Sequence, residues 1–356
     1  MTKTIIRCCR TDHRLPSRTV ACLTAAVALF LAGSISAVEY PPPPGTDRES
    51  DEYLEEVEAH LESLDLNDPT LDFKRLGGTT ATNWSVSKDG RIVADLKCTS
   101  GNTDHHGAVI AYRLGRELGF NIYPVAVYRD VKQTIDGRPF DEQCALKEWA
   151  SVFTQYYWTR ETFQETDSQA KRSLVAALKC DHPKPGDKES FEFYARSAYG
   201  DPKIPASRRV KYSGQSTLSA VSRDFSNMMV IDTLIGNEDR FPGGNMFFRS
   251  VTTSPAEAGG SFVFENVRLF SLDNEAAFKG RSPASTHSAR DLKQHVSRFD
   301  SDMIAKLQRL ADDQATLDRM TDGHEELTAF IRDGIRLVLE HVSEAQEQCG
   351  REKASF

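Results

Sequence analysis

Two short segments constrain this 356-residue chain more than anything else in it: IGNEDRF at residues 235–241 and SLDNEAAF at residues 271–278. The first follows a run, 218–235, in which Val221, Phe225, Met228, Met229, Asp232 and Ile235 recur in a largely helical pattern. The second ends a stretch of strand character, with apolar runs at 262–264 and 269–272. A carboxylate at the end of an apolar strand is costly to bury unless it is paired or holds a cation. Asp239 and Asp273 are therefore the first candidate site residues.

Between 73 and 127 the pattern changes to short apolar runs broken by glycine. It predicts a hairpin at Lys88, Asp89 and Gly90, a strand over 91–97, a helix over 108–118 and a returning strand over 121–127. Lys97 closes the first of these strands. Upstream of it, the stretch LGGTT at 76–80 carries glycines that let backbone amides approach a phosphate closely. Before that, Leu54, Val57, Leu61 and Leu64 are spaced as one face of an amphipathic helix among many acids. Residues 129–214 are less legible: an aromatic segment at 149–163, a helix near 168–178 and a polar loop at 181–189. The C-terminal part reads as helices, with Met303, Ile304, Leu307 and Leu310 on one face and Leu327, Phe330, Ile331, Ile335 and Val338 on another. Those stripes are core.

The GNxDR context of Asp239 and the LDNE context of Asp273 resemble the four-jointed and secretory-pathway, Golgi casein kinase-like, atypical kinases. That family is related more distantly to HipA-like and phosphatidylinositol kinases. The resemblance implies an α+β, two-lobed atypical protein-kinase-like fold. Its small β-rich N-lobe would span 73–150 and its mostly helical C-lobe 151–349, with an acidic amphipathic helix at 49–72 before them and a tail at 350–356. Asp239 would orient the acceptor hydroxyl and take its proton, with Arg240 pairing inside the catalytic loop. Asp273 would bind the metal and Asn245 would be the second ligand. Lys97 would contact the nucleotide phosphates beneath the backbone of Gly77, Gly78 and Thr79. The implied cofactors are ATP with Mn2+ or Mg2+. The implied reaction moves the γ-phosphate to a serine or threonine hydroxyl of a secreted or luminal protein, with a sugar hydroxyl as the other acceptor class.

Some positions depart from the pattern. Phe241 replaces the histidine of many relatives, and FPGG intervenes before Asn245. Ala108 stands where relatives carry the helix glutamate that partners the strand lysine. Glu117 lies too far along the helix to substitute easily, and Asp104 lies about one turn earlier. Loss of that acid keeps a second reading open, a pseudokinase that binds and regulates a partner kinase. A hydrolase using Asp239 and Asp273 as a carboxylate pair accounts for the acids but not for their surroundings.

The N-terminus places Lys3, Arg7, Arg10, Arg14 and Arg18 before an apolar run, 20–38, that ends among small residues. This order reads as a signal peptide cleaved near Ala37 or as an uncleaved signal anchor. Both routes lead to the secretory pathway, the Golgi lumen or the exterior, and membrane contact is expected only through such an anchor. A proline-rich linker follows at 38–48. Removing 1–37 takes five basic groups and one acid from the 44 and 52 of the whole chain and shifts the net charge from −8 to −12. Nucleic acid is excluded as a partner on that balance. Four cysteines remain, Cys98, Cys144, Cys180 and Cys349. They read as two disulfides with three possible pairings, or as buried free thiols. One glycosylation sequon begins at Asn83, beside the proposed nucleotide loop.

Overall fold

The structure is a computed structural model that describes residues 46–76, 82–99, 104–135, 137–149, 154–156, 169–195, 212–240, 246–250, 262–264, 267–280 and 282–356. The N-terminal apolar run, Gly77, Gly78, Thr79, Phe241 and Asn245 lie outside these residues. No helix among them is long and apolar enough to cross a membrane.

The first element is helix α1, Asp51–Ser63. Ser50 caps it by accepting from the Tyr53 amide, Asp51 and Glu52 favour its positive end, and Tyr53, Leu54, Val57 and Leu61 form its buried stripe. Next come strands β1 Leu71–Arg75, β2 Thr82–Lys88 and β3 Arg91–Cys98, then helix α2 His105–Leu118. Strands β4 Ala126–Ile135 and β5 Arg138–Lys147 complete a five-stranded antiparallel sheet of order β1-β2-β3-β5-β4. The β2–β3 turn is where the sequence places it. Asp89 and Gly90 both have positive φ, the backbone that a tight hairpin demands. Helix α1 is tied to this sheet by Arg129, whose guanidinium donates to the carbonyls of Leu61 and Leu64. Asn83 is buried on β2, so the sequon has no room for a glycan in the folded chain.

The second half is mostly helical. Strand β6 Thr154–Tyr156, helix α3 Gln169–Ala177, and strands β7 Ser190–Ala195 and β8 Tyr212–Thr217 lead into helix α4 Leu218–Ile235. Strands β9 Met246–Ser250, β10 Phe262–Phe264 and β11 Val267–Ser271 follow. Two small sheets result, β10-β8-β7 and β11-β9-β6. Helices α5 His287–His295, α6 Ser301–Asp312, α7 Gln314–Met320 and α8 Glu325–Cys349 close the chain. Helix α4 is buried nearly all round, including Asp224, Asn227 and Asp232, whose side chains find partners in Arg268, Asp300 and Arg240. It stops at Gly236, whose left-handed φ of 63° satisfies the last carbonyls and leaves no space for a side chain against Phe330. The disulfides are Cys98–Cys144 and Cys180–Cys349, which selects one of the three pairings.

The two halves meet where α2 begins. A Cβ placed on Gly107 would stand 2.2 Å from the backbone oxygen of Asn274 and 2.8 Å from the Ala277 side chain. Only glycine lets the helix lie directly on the second acidic segment. We expect Gly107→Ala to cost about 3 kcal/mol of stability through overpacking against backbone, read as a lower urea midpoint. An unchanged midpoint would show that this approach is not needed.

Candidate active site

The first acidic segment is organised by a buried arginine. Arg240 is 1 % exposed, and its Nε and Nη2 donate to the two oxygens of Asp232 on α4 at 2.7 and 2.9 Å. The same Nη2 reaches Ser271 Oγ at 2.6 Å and Asn274 Oδ1 at 2.9 Å. Asn237 adds its side-chain amide to Asp232 Oδ1, and its own Oδ1 accepts from the Asp239 backbone amide. Burial opposes the arginine's charge, and Asp232 more than offsets it, so its pKa lies above the usual value. Arg240 is therefore a clamp: it joins the end of α4 to the end of β11. Asp239, its neighbour, is half-buried at the adjoining turn.

Backbone bonds complete the join. The Glu238 amide donates to the Ala276 carbonyl at 3.2 Å, and the Phe278 amide donates to the Ile235 carbonyl at 2.7 Å. The segments carrying Asp239 and Asp273 are thus paired through the main chain, although 34 residues separate the two acids in sequence.

The second segment meets the five-stranded sheet through charge. Lys97 Nζ lies 2.6 Å from Asp273 Oδ1 and 2.9 Å from Glu275 Oε2. The other oxygen of Glu275 lies 2.8 Å from Lys147 Nζ, which also donates to the Leu272 carbonyl at 3.1 Å. Strand register explains why these groups share a face. On the β3–β5 ladder Asp95 pairs with Lys147, Lys97 with Ala145 and Cys98 with Cys144. Directly paired residues point to the same side, and the side alternates along a strand. Asp95, Lys97 and Lys147 consequently face the acidic segment, with the small Ala145 leaving room for the lysine stem. The Cys98–Cys144 disulfide closes the opposite face.

Exposure separates the two acids of the network. The Asp273 side chain is 48 % exposed and Glu275 only 5 %. Lys97 holds the Asp273 carboxyl down at a pKa of about 2, so it is ionised throughout the physiological range. Burial works against the charge of Lys97, but Asp273, Glu275 and Asp95 more than compensate and keep its pKa well above the ordinary one. Glu275 is likewise burdened by burial and is carried below its usual value by Lys147 and Lys97. Asp95 is the exception. Burial, reinforced by the neighbouring carboxylates, raises it to about 6 against the pull of the two lysines.

Sequence reasoning singled out Lys97, Asp239, Arg240 and Asp273, and all four are placed by these two connected networks. It missed Glu275 and Lys147. The signal for Glu275 was present, since a carboxylate one residue from Asn274 and just before two alanines needs a cation if it is buried. Ala108 is buried and offers no charge, while Asp104 caps α2 by accepting from the His106 amide. Asp104, His105 and His106 bring possible ligand atoms within 4.8 Å of one another. Their bonds to Thr99, Tyr128 and the helix backbone hold the start of α2.

No protein-family model matches the sequence, and no curated protein matches it. Solved structures do match. The Golgi casein kinase with Mn and ADP bound aligns at a TM-score of 0.53 and 13% identity, covering 85% of this chain and 78% of that one. The fold resembles that of the Golgi casein kinase. Hydra Fam20 with sugar aligns at 0.51 and 14% identity, over 86% of this chain and 93% of that one. A second Golgi casein kinase structure aligns at 0.52 and 12%, over 85% and 77%. A two-lobed kinase-like α+β architecture is therefore shared: the five-stranded sheet with α2 is the small lobe, and α4 with the following helices is the large one.

Arg240→Met would leave the Asp232 charge buried without a cation; we expect a loss of about 3–5 kcal/mol, measured by chemical denaturation. A loss under 1 kcal/mol would contradict the clamp. Asp95 makes a separate prediction. Its folded pKa is raised, so between pH 4 and 6 the unfolded chain releases a proton that the folded chain retains, and the contribution of Asp95 to stability falls as pH rises through that window. Without divalent cations, Asp95→Asn should flatten this fall in urea titrations at pH 4 to 7. Parallel wild-type and variant profiles would count against it.

Proposed function

We propose that the chain is an ATP-dependent phosphotransferase of the secretory pathway that phosphorylates a serine or threonine hydroxyl of secreted proteins. The observation that supports this reading best is the joining of the two acidic segments. One clamp, Arg240, touches both the helix that delivers Asp239 and the asparagine beside Asp273. Phosphoryl transfer asks a protein mainly for positioning and charge compensation, and these are what a fixed acid pair and a buried lysine provide.

In this reading Asp239 accepts the proton of the acceptor hydroxyl and aims its oxygen at the γ-phosphorus. Lys97 neutralises phosphate oxygens, and the backbone amides of Gly77, Gly78 and Thr79 are the proposed caps for them. Asp273 fits a hard divalent cation: it is an oxygen donor, open to solvent on one side and ionised at any working pH. Asn245 is the proposed second ligand. Asp273 and Asn245 would hold Mn2+ or Mg2+, which would supply positive charge to offset that of the phosphates. Manganese with ADP in the Golgi casein kinase structure supports both cofactors. The two disulfides fit an oxidising lumen. The sugar in the hydra Fam20 structure favours a sugar hydroxyl as the second acceptor class.

The test is transfer of labelled γ-phosphate from ATP by the full chain secreted from eukaryotic cells, with manganese or magnesium. Casein and a proteoglycan-linkage oligosaccharide serve as acceptors. Asp239→Ala is expected to lower transfer at least about a hundredfold. Metal-dependent label on casein supports the protein kinase, and label on the oligosaccharide alone moves the acceptor to sugar. Nucleotide binding without any transfer would favour a pseudokinase.

A further inference from the structure

A kinase-like lysine must be steered, because an ammonium on a flexible four-carbon stem has many positions open to it. The usual steering acid would project from α2, where this chain has Ala108. The structure nevertheless surrounds Lys97 with carboxylate. Asp273 is one partner, but it is half exposed and is the residue proposed to face the metal and phosphates. Glu275 is the other, and it is enclosed.

Three contacts set Glu275 apart from a chance ion pair. Its two carboxylate oxygens are divided between two buried ammonium groups, Lys97 at 2.9 Å and Lys147 at 2.8 Å. Lys147 cannot drift, because it also donates to the Leu272 carbonyl. The carbonyl of Glu275 itself accepts from the amide of Asp104, the residue capping α2, at 2.7 Å. The main chain of Glu275 therefore holds the start of the very helix that lacks the acid, while its side chain reaches the lysine.

We propose that Glu275 is the positioning residue for Lys97, taking over from the acid-bearing helix, and that Lys147 fixes Glu275 in turn. The inference rests on the kinase reading and gives it a consequence: the alanine at 108 is a relocation of the acid and not a loss of function. The charges account for the second lysine. A glutamate serving one lysine from a buried site would need another cation or several hydrogen-bond donors to satisfy its remaining oxygen. Lys147 supplies that cation from the neighbouring strand, at the ladder position opposite Asp95.

The experiment is a double-mutant cycle on ATP affinity, measured by calorimetry with the full chain and manganese. Lys97→Met should weaken ATP binding by about tenfold or more, and Glu275→Gln should do so by a similar factor. The double variant should bind no more weakly than Lys97→Met alone, because a positioning residue has nothing left to position. Multiplying losses in the double variant would overturn the proposal while leaving the kinase reading intact. A wild-type chain that binds no nucleotide would overturn both. Thermal unfolding of each variant shows whether it is folded. Should Glu275→Gln not fold, Glu275→Asp replaces it: the shorter acid keeps the charge, and the proposal expects weaker ATP binding that again vanishes in the Lys97→Met background. Full affinity in Glu275→Asp would overturn it.

Discussion

The bidentate pair of Arg240 and Asp232 is the contact on which the rest of the site depends. Taking both charges out of water is expensive, and their attraction offsets the cost only if the remaining donors find partners. Here they do. Ser271, Asn274 and Asn237 occupy positions around the pair, so the cost of burial is met by a network that also fixes three segments of chain. An apolar replacement of the pair could fill the same space, but it would not specify where the end of α4 stands relative to the end of β11. The ion pair does specify it, through directional bonds.

From that fixed frame, Asp273 projects towards the sheet and meets Lys97. Lys97, Lys147, Asp273 and Glu275 form a balanced set of two cations and two anions, with Asp95 held near neutrality beside them at mildly acidic pH. Such a set is stable without a ligand. It is also asymmetric, since only its Asp273 end is open to solvent. Under the proposed function, a polyanion arriving with a cation would find a charged carboxylate at the open end and the Lys97 ammonium just behind it. Glu275 and Lys147 remain shielded behind it.

Much of this was legible from residues alone, where local pattern and tertiary role coincide. Helix α4 follows from its apolar repeat and the glycine after it, and the β2–β3 turn follows from Asp89 and Gly90. The strand expected over 121–127 shows the opposite case. Phe120, Ile122, Tyr123 and Val125 are buried, yet the ladder of β4 begins only at Ala126. An apolar run reports burial, and burial can come from packing outside the sheet: the Ile122 carbonyl accepts from the amide of Ser271, the last residue of β11, which belongs to a different sheet from β4. Strand β5 escaped notice for a related reason. Its residues from Arg138 to Gln143 are mostly polar, and its place in the sheet is set by pairing with β4 over ten residues. Glu275 was hidden by distance, because 178 positions separate it from Lys97 and no local pattern can show that their side chains meet.

The register of β3 against β5 carries more of the chemistry than any single residue. A slip of one position would turn Lys97 and Asp95 to the far side of the sheet and bring Cys98 to the near side. The hydrophobic pattern alone resists that slip weakly, since Asp95 and Lys97 interrupt it on the site face. The Cys98–Cys144 bond removes the alternative covalently, at the step immediately after the lysine and on the face that does not need to be open. A lysine placed by ladder register, backed by a disulfide and met by an acid from the opposite lobe has little left to gain from a helix glutamate. That is a physical reason why this fold can accommodate an alanine at position 108.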